Sequence, residues 1–110
     1  MDELLKLYKN AKSEVSKIEW TEHHPFYPDS IYQLMKALGE SSLIFSDYRK
    51  YKLPDVIAEL DNANFEQIQC AVTFIVRSER WVTGSWKKYL EDGRLEKLLV
   101  QASIVSFKNV

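Results

Sequence analysis

One stretch, NFEQIQCAVTFIVRSERWVTG at residues 64–84, most constrains how this chain can fold. At about 100° per residue, its apolar side chains fall on one broad arc and a second stripe beside it. These two sets are Phe65, Ile68, Val72, Ile75, Val76 and Val82, and Cys70, Phe74 and Trp81. The polar strip that remains holds Glu66, Gln69, Thr73, Arg77 and Arg80. A helix that is apolar over most of its circumference belongs inside a domain, so we predict a central buried helix at about 65–82.

Both ends of this helix carry local signals. Asn64 followed three residues later by Gln67 favours a capping box, in which each side chain bonds the other residue's backbone N–H. Gly84 follows the last periodic residue and suits the left-handed conformation at which helices commonly stop.

Glu79 interrupts the apolar arc, in the last turns of the predicted helix, where the helix dipole disfavours a negative charge. Because a lone buried carboxylate is costly, we expect it to be hydrogen-bonded to an Arg or Tyr side chain or to backbone N–H groups of residues 82–86. With Arg77 and Arg80 it forms a candidate buried polar site. The alternative interpretation is a general base or ligand contact in a cleft.

The two neighbouring arginines point to the opposite strip of the same helix. A cationic partner for Glu79 would therefore come from a loop, with Arg49 or His24 as the sources.

Periodicity predicts further helices on either side of the central one. They are an amphipathic helix at about 3–19, one that Asp29 or Ser30 caps and Gly39 ends, a short one at Leu53 and Pro54, one that Ser85 caps and Gly93 ends, and one from near Arg94. Apolar and polar residues alternate in the tail at 103–110, which predicts a short extended piece. For residues 40–52 the sequence does not decide between an extended segment and a single turn. We predict one all-α domain over residues 1–110, a compact bundle of five or six helices.

The aromatic loop at residues 20–28, WTEHHPFYP, is predicted to be extended because it contains two prolines. Its rings either fold back onto the core or form a wall of a groove. The candidate groove or interface residues are Trp20, His24, Phe26, Tyr27, Tyr48, Trp81 and Trp86. Glu22, His23 and His24 do not predict a metal site, because adjacent side chains diverge and a site needs three or four converging ligands.

Charge and cysteine content limit the compartment and the partners. The net charge is −1, with 8 basic and 11 acidic residues in 1–64 against 7 and 5 in 65–110. Nucleic-acid binding is not expected, because it depends on clustered Lys and Arg. A single cysteine, Cys70, allows no internal disulfide. The sequence also contains no apolar run of membrane-spanning length and no signal-peptide layout. Together these three features predict a cytoplasmic protein.

Residues 64–99, NFEQIQCAVTFIVRSERWVTGSWKKYLEDGRLEKLL, resemble the C-terminal half of a bacterial family known as domain of unknown function 6508. The matching positions are Arg77, Glu79, Arg80, Trp81, Gly84, Gly93, Leu95 and Leu98. Upstream, FYPDSIYQLMKALGESSLIFSDYRKY resembles the family's Tyr-rich segment, so the resemblance spans roughly residues 26–100. Relatives often carry Cys and Glu where this chain has Val82 and Thr83, so no thiol chemistry is carried over.

Three function classes remain open. The size, the aromatic content and the lack of a catalytic set favour a protein-interaction or assembly module without cofactor, metal or enzymatic activity, whose partner is either another protein or a second copy of the chain. A nucleic-acid regulator would have to read bases with residues 85–92, whose Trp86, Tyr89 and Leu90 are needed inside the fold. An enzyme would use Glu79 as acid or base with His23 or His24 as a helper, but no nucleophile or phosphate loop accompanies them.

Overall fold

The computed structural model describes residues 2–22 and 24–108 of the chain. Over these residues it forms the predicted all-α bundle, with six α-helices, short 3₁₀ turns and one small antiparallel hairpin. The elements are α1 (Asp2–Ser13), β1 (Glu19–Trp20), β2 (Pro25–Phe26), α2 (Asp29–Gly39), α3 (Leu53–Ala58), α4 (Phe65–Arg77), α5 (Ser85–Asp92) and α6 (Arg94–Lys108).

Helix α4 is the centre of the bundle and packs against α2, α3 and α6. Its side chains Ile68, Val72 and Ile75 are fully buried, as their period predicts. The capping box is present: Asn64 Oδ1 accepts from the Gln67 N–H and Gln67 Oε1 accepts from the Asn64 N–H, each at 2.8 Å. The start and the buried face of the central helix therefore follow from local sequence.

The predicted end of this helix is wrong. Helix α4 ends at Arg77, and a 3₁₀ turn at Ser78–Arg80 follows it. The Ser78 hydroxyl donates to the Ile75 carbonyl oxygen at 2.6 Å, a local bond that competes with the helical pattern. Val82, predicted on the buried arc, is consequently 61% exposed.

Thr73 also differs from its predicted place on a polar strip, since it is completely buried. Its hydroxyl donates to the Leu43 carbonyl oxygen at 3.1 Å and accepts from the Phe45 N–H at 2.9 Å. These bonds fasten the 40–52 segment, which consists of turns and contains neither helix nor strand.

The first predicted helix is shorter than expected, and the aromatic loop is more ordered than expected. Helix α1 ends at Ser13, whose hydroxyl donates to the Asn10 carbonyl oxygen, and a 3₁₀ turn at Val15–Lys17 follows. The loop predicted at 20–28 contains the β1–β2 hairpin, in which Glu19 pairs with Phe26.

Two other predicted helix ends differ. Helix α2 begins after Pro28 without a side-chain cap from Asp29 or Ser30. Helix α6 continues to Lys108 where a short extended piece was predicted, and residues 109 and 110 lie outside the described range. None of the helices in the described part combines the length and the apolar composition needed to cross a bilayer.

Candidate functional site

The Glu79 carboxylate joins three parts of the chain through its hydrogen bonds. It lies in the 3₁₀ turn after α4, half-buried, and accepts three hydrogen bonds. The Gly84 N–H donates to Oε2 at 2.9 Å, the Trp86 N–H donates to Oε1 at 3.1 Å, and the Tyr27 hydroxyl also donates to Oε1. The prediction that Glu79 bonds a tyrosine or the backbone of residues 82–86 is therefore confirmed.

The predicted conflict between Glu79 and a helix dipole is absent. Since α4 has already ended, the carboxylate faces the first N–H groups of α5, where a negative charge is favourable. Ser85, the predicted cap of α5, instead donates a hydrogen bond to the Ser78 hydroxyl oxygen. The Ser78 hydroxyl in turn donates to the Ile75 carbonyl oxygen. Glu79 therefore accepts hydrogen bonds from N–H groups at the start of α5, where the N-cap residue Gly84 has no side chain to do so.

Tyr27 connects this turn to the hairpin, because it directly follows β2. Its ring is buried, and both burial and the adjacent Glu79 carboxylate raise the pKa of its hydroxyl above the ordinary range. The phenol is therefore a hydrogen-bond donor throughout the neutral pH range. Neither Arg49 nor His24 takes the role of a cationic partner that the sequence suggested.

Trp20 adds a second contact between the hairpin and the turn. Its ring lies on Gly84, which has φ +84 and is buried. A Cβ at this position would overlap the Trp20 ring, whereas Gly93, with φ +81, has open space around the corresponding point.

Replacing each glycine by Ala should separate the cost of a left-handed backbone from the cost of the overlap with the Trp20 ring. Gly93→Ala should destabilise the fold by about 1 to 2 kcal/mol, the strain of a left-handed backbone. Gly84→Ala should destabilise it by about 1 to 3 kcal/mol more, because the overlap displaces Trp20. Chemical denaturation measures both, and the excess should vanish in a Trp20→Ala background; an excess that persists there would mean that the ring contact is not its cause.

The tethered turn displays an aromatic surface, defined as Tyr48, Phe74, Trp81 and Val82. Trp81 stacks on Phe74 with ring centroids 5.5 Å apart and on Tyr48 at 6.2 Å. It nevertheless remains 47% exposed, and Phe74 remains 36% exposed. The period of the predicted helix placed Phe74, Trp81 and Val82 on its buried face, although Trp81 was also a groove candidate. Phe74 lies on an exposed part of α4 itself, whereas Trp81 and Val82 follow the end of α4 at Arg77.

Arginines border this surface. The Arg77 guanidinium lies 4.9 Å from the centroid of the Tyr48 ring and that of Arg49 lies 5.7 Å from it, while Arg80 is exposed. The carboxylate of the same turn, Glu79, is directed inward. Arg77, Glu79 and Arg80 therefore do not form the single buried polar site that the sequence suggested.

The remaining groove candidates do not form one groove. Trp86 is fully buried in the core, whereas Trp20 and Phe26 are 57% and 54% exposed on the hairpin and do not fold onto the core. His24 contacts the edge of Phe26, with centroids 5.2 Å apart. Within the predicted set, Tyr48 stacks on Trp81 and His24 contacts Phe26, so the set divides into separate pairs.

The histidine region offers no converging ligands in the part that the structure describes. His24 and Glu22 are exposed, and His23 lies outside the described residues. No group of three His, Cys, Asp or Glu side chains suited to a metal ion occurs in residues 2–22 and 24–108.

A pocket of about 470 Å³ adjoins the aromatic surface, and we call it the apolar pocket. Its lining consists of Tyr48, Arg49, Tyr51, Lys52, Leu53, Pro54, Phe74, Tyr89 and Arg94. The sequence did not predict this pocket, because its lining comes from separate parts of the chain.

Comparison with known proteins gives one match. The model of a family described as "Family of unknown function (DUF6508)" matches residues 5–106. No curated protein and no solved structure matches the chain.

Proposed function

The chain belongs to the family of unknown function DUF6508, and we propose that it is a protein-interaction module that docks a segment of a partner protein on the aromatic surface around Trp81. The observation that carries this proposal is the position of Trp81. Its ring is about half exposed, yet it is stacked on two other rings at the tip of a turn that Glu79 holds by three hydrogen bonds.

Such an arrangement suits binding because the exposed rings are already ordered. Trp and Tyr carry large apolar area on few rotatable bonds and dominate the energetics of many interfaces. Side chains that are fixed before association lose little conformational entropy when a partner covers them. The stacking of Trp81 on Phe74 and the backbone tether through Gly84 both act in this way.

The charges around the surface select the partner. Arg49 and Arg77 lie at the Tyr48 ring and Arg80 is exposed in the same turn, while Glu79 points away. A segment that carries carboxylates beside an apolar anchor residue complements this surface. A second copy of the chain fits less well, since a two-fold interface would place these arginines against themselves.

The other two function classes receive less support from the geometry. Helix α5 buries Trp86, Tyr89 and Leu90, which leaves Lys88, Glu91 and Asp92 as its exposed face, a poor set for reading duplex DNA. Glu79 is occupied by donors that stabilise the turn, so we assign it a structural role and propose no enzymatic activity.

Selection from a random peptide library displayed on phage tests the proposal with purified protein. We expect enrichment of peptides that combine Asp or Glu with an aromatic or large aliphatic residue. Trp81→Ala should weaken a selected peptide by about thirtyfold, because truncating a buried aromatic anchor costs on the order of 2 kcal/mol.

Phe26→Ala is the matched control, since Phe26 is an equally exposed aromatic residue on the hairpin and should leave the affinity unchanged. Enrichment of basic peptides, equal losses in the two variants, or a stable homodimer in sedimentation that Trp81→Ala dissociates would each contradict docking of an acidic segment.

A further inference from the structure

We propose that the apolar pocket is a separate site for a small amphipathic anion, a flat apolar molecule that carries one carboxylate. This site goes beyond protein docking on the aromatic surface, with which it shares Tyr48, Phe74 and Arg49, because the rest of its lining lies outside that surface and Trp81 and Val82 do not line it. Its volume of about 470 Å³ falls in the usual range of small-molecule sites, roughly 300 to 1,000 Å³.

The walls of the pocket suit a flat apolar body. Rings of Tyr48, Phe74 and Tyr89 and the aliphatic side chain of Leu53 contribute to the lining. Three of these residues are largely buried, with Tyr48 9%, Tyr89 8% and Leu53 4% exposed, so these walls belong to the core. Aromatic walls of this kind favour a planar ligand through offset or edge contacts.

The charge of the lining suits an anionic group. Arg49, Lys52 and Arg94 line the pocket, and no Asp or Glu does. Arg94 is already paired with Asp92 at 2.8 Å and lies 4.5 Å from the Tyr89 ring centroid. Arg49 and Lys52 make no ion pair with any described residue, so two positive charges remain for a ligand to neutralise.

A neighbouring pocket of about 510 Å³ differs from the apolar pocket in the charge of its lining. Its lining includes Asp55 and Glu59 as well as basic residues. The cation that it does not share with the apolar pocket, Lys50, is paired with Glu66 at 3.3 Å. Of these two pockets, the apolar pocket is the one that combines ring walls with a lining free of carboxylates.

Isothermal titration calorimetry with 1-naphthoate and its neutral counterpart 1-naphthamide tests this site. We expect the naphthoate to bind about tenfold more tightly or better, the scale of one charge-assisted contact, and its affinity to fall as salt is added. Equal affinities for the two compounds, or no binding of either, would overturn the proposal.

Variants locate the binding. Lys52→Gln should lower naphthoate affinity about tenfold towards that of naphthamide, whereas Lys36→Gln on α2 removes an equally exposed cation outside the pocket and should change nothing. Both side chains are exposed, so thermal melting should be unaltered. Equal effects of the two lysine variants would overturn the assignment.

Residues that belong to one site alone distinguish the two proposals. Trp81→Ala should weaken peptide binding about thirtyfold and leave naphthoate binding intact, and Lys52→Gln should weaken naphthoate while Trp81-dependent peptide binding persists. Loss of naphthoate binding in Trp81→Ala, with the fold intact by circular dichroism, would overturn a separate pocket.

Discussion

Replacing Ile75 with Ala should lower the free energy of unfolding by about 2 to 5 kcal/mol, the range for large-to-small changes in a core. Ile75 is fully buried on α4, which packs against α2, α3 and α6. The truncation removes apolar contacts and leaves a cavity that rigid neighbours fill only in part. Urea denaturation monitored by circular dichroism measures the change.

Val82→Ala provides the matched control. The periodicity of the sequence places Val82 on the same buried arc as Ile75, but the structure leaves it 61% exposed. Its truncation should therefore change the free energy of unfolding by less than about 0.5 kcal/mol, as surface substitutions usually do. Comparable losses in the two variants would mean that α4 continues through Val82.

Replacing Glu79 with Ala should lower the free energy of unfolding by about 2 to 4 kcal/mol. The change removes the acceptor of three hydrogen bonds and leaves the Gly84 and Trp86 N–H groups and the Tyr27 hydroxyl without it. Bonds to charged groups contribute about 1.5 to 3 kcal/mol each when buried, but Glu79 is only half-buried, so water replaces part of what the three bonds contribute. Thermal and chemical unfolding both report this change.

Two milder variants separate the contributions. Glu79→Gln should cost about 1 to 2 kcal/mol, because the amide oxygen still accepts but the charge at the start of α5 is lost. Tyr27→Phe should cost about 1 kcal/mol, since it removes one donor and keeps the backbone bonds. Melting of Glu79→Ala that equals or exceeds the wild type would contradict the structural role of this carboxylate and favour a functional one.

Local sequence was sufficient where local interactions decide the structure. The capping box at Asn64 and Gln67, the buried period of Ile68, Val72 and Ile75, and the left-handed Gly93 all depend on neighbouring residues. The hydrogen bonds of Glu79 were predicted from its place among apolar residues, because a buried carboxylate requires donors, although the helical arc on which it was placed ends at Arg77.

The rest depended on particular side-chain hydrogen bonds and on tertiary contacts, neither of which follows from periodicity. Whether α4 ends at Arg77 or continues is decided by the bonds of Ser78 to Ile75 and Ser85, and periodicity contains no such information. That early end turns Trp81 outward and so creates the aromatic surface. The apolar pocket draws its lining from residues 48–54, 74 and 89–94, which only the fold brings together.

Mapping the contact of a selected acidic peptide by NMR tests the docking proposal most directly. If the tethered turn is the interaction site, the largest amide shift changes will fall in residues 74–84 and at Tyr48 and Arg49, and Glu79→Gln will reduce the peptide's affinity by loosening the turn. Shift changes confined to α1 and α2, or an unchanged map and affinity in Trp81→Ala, would contradict an interaction module built around Trp81.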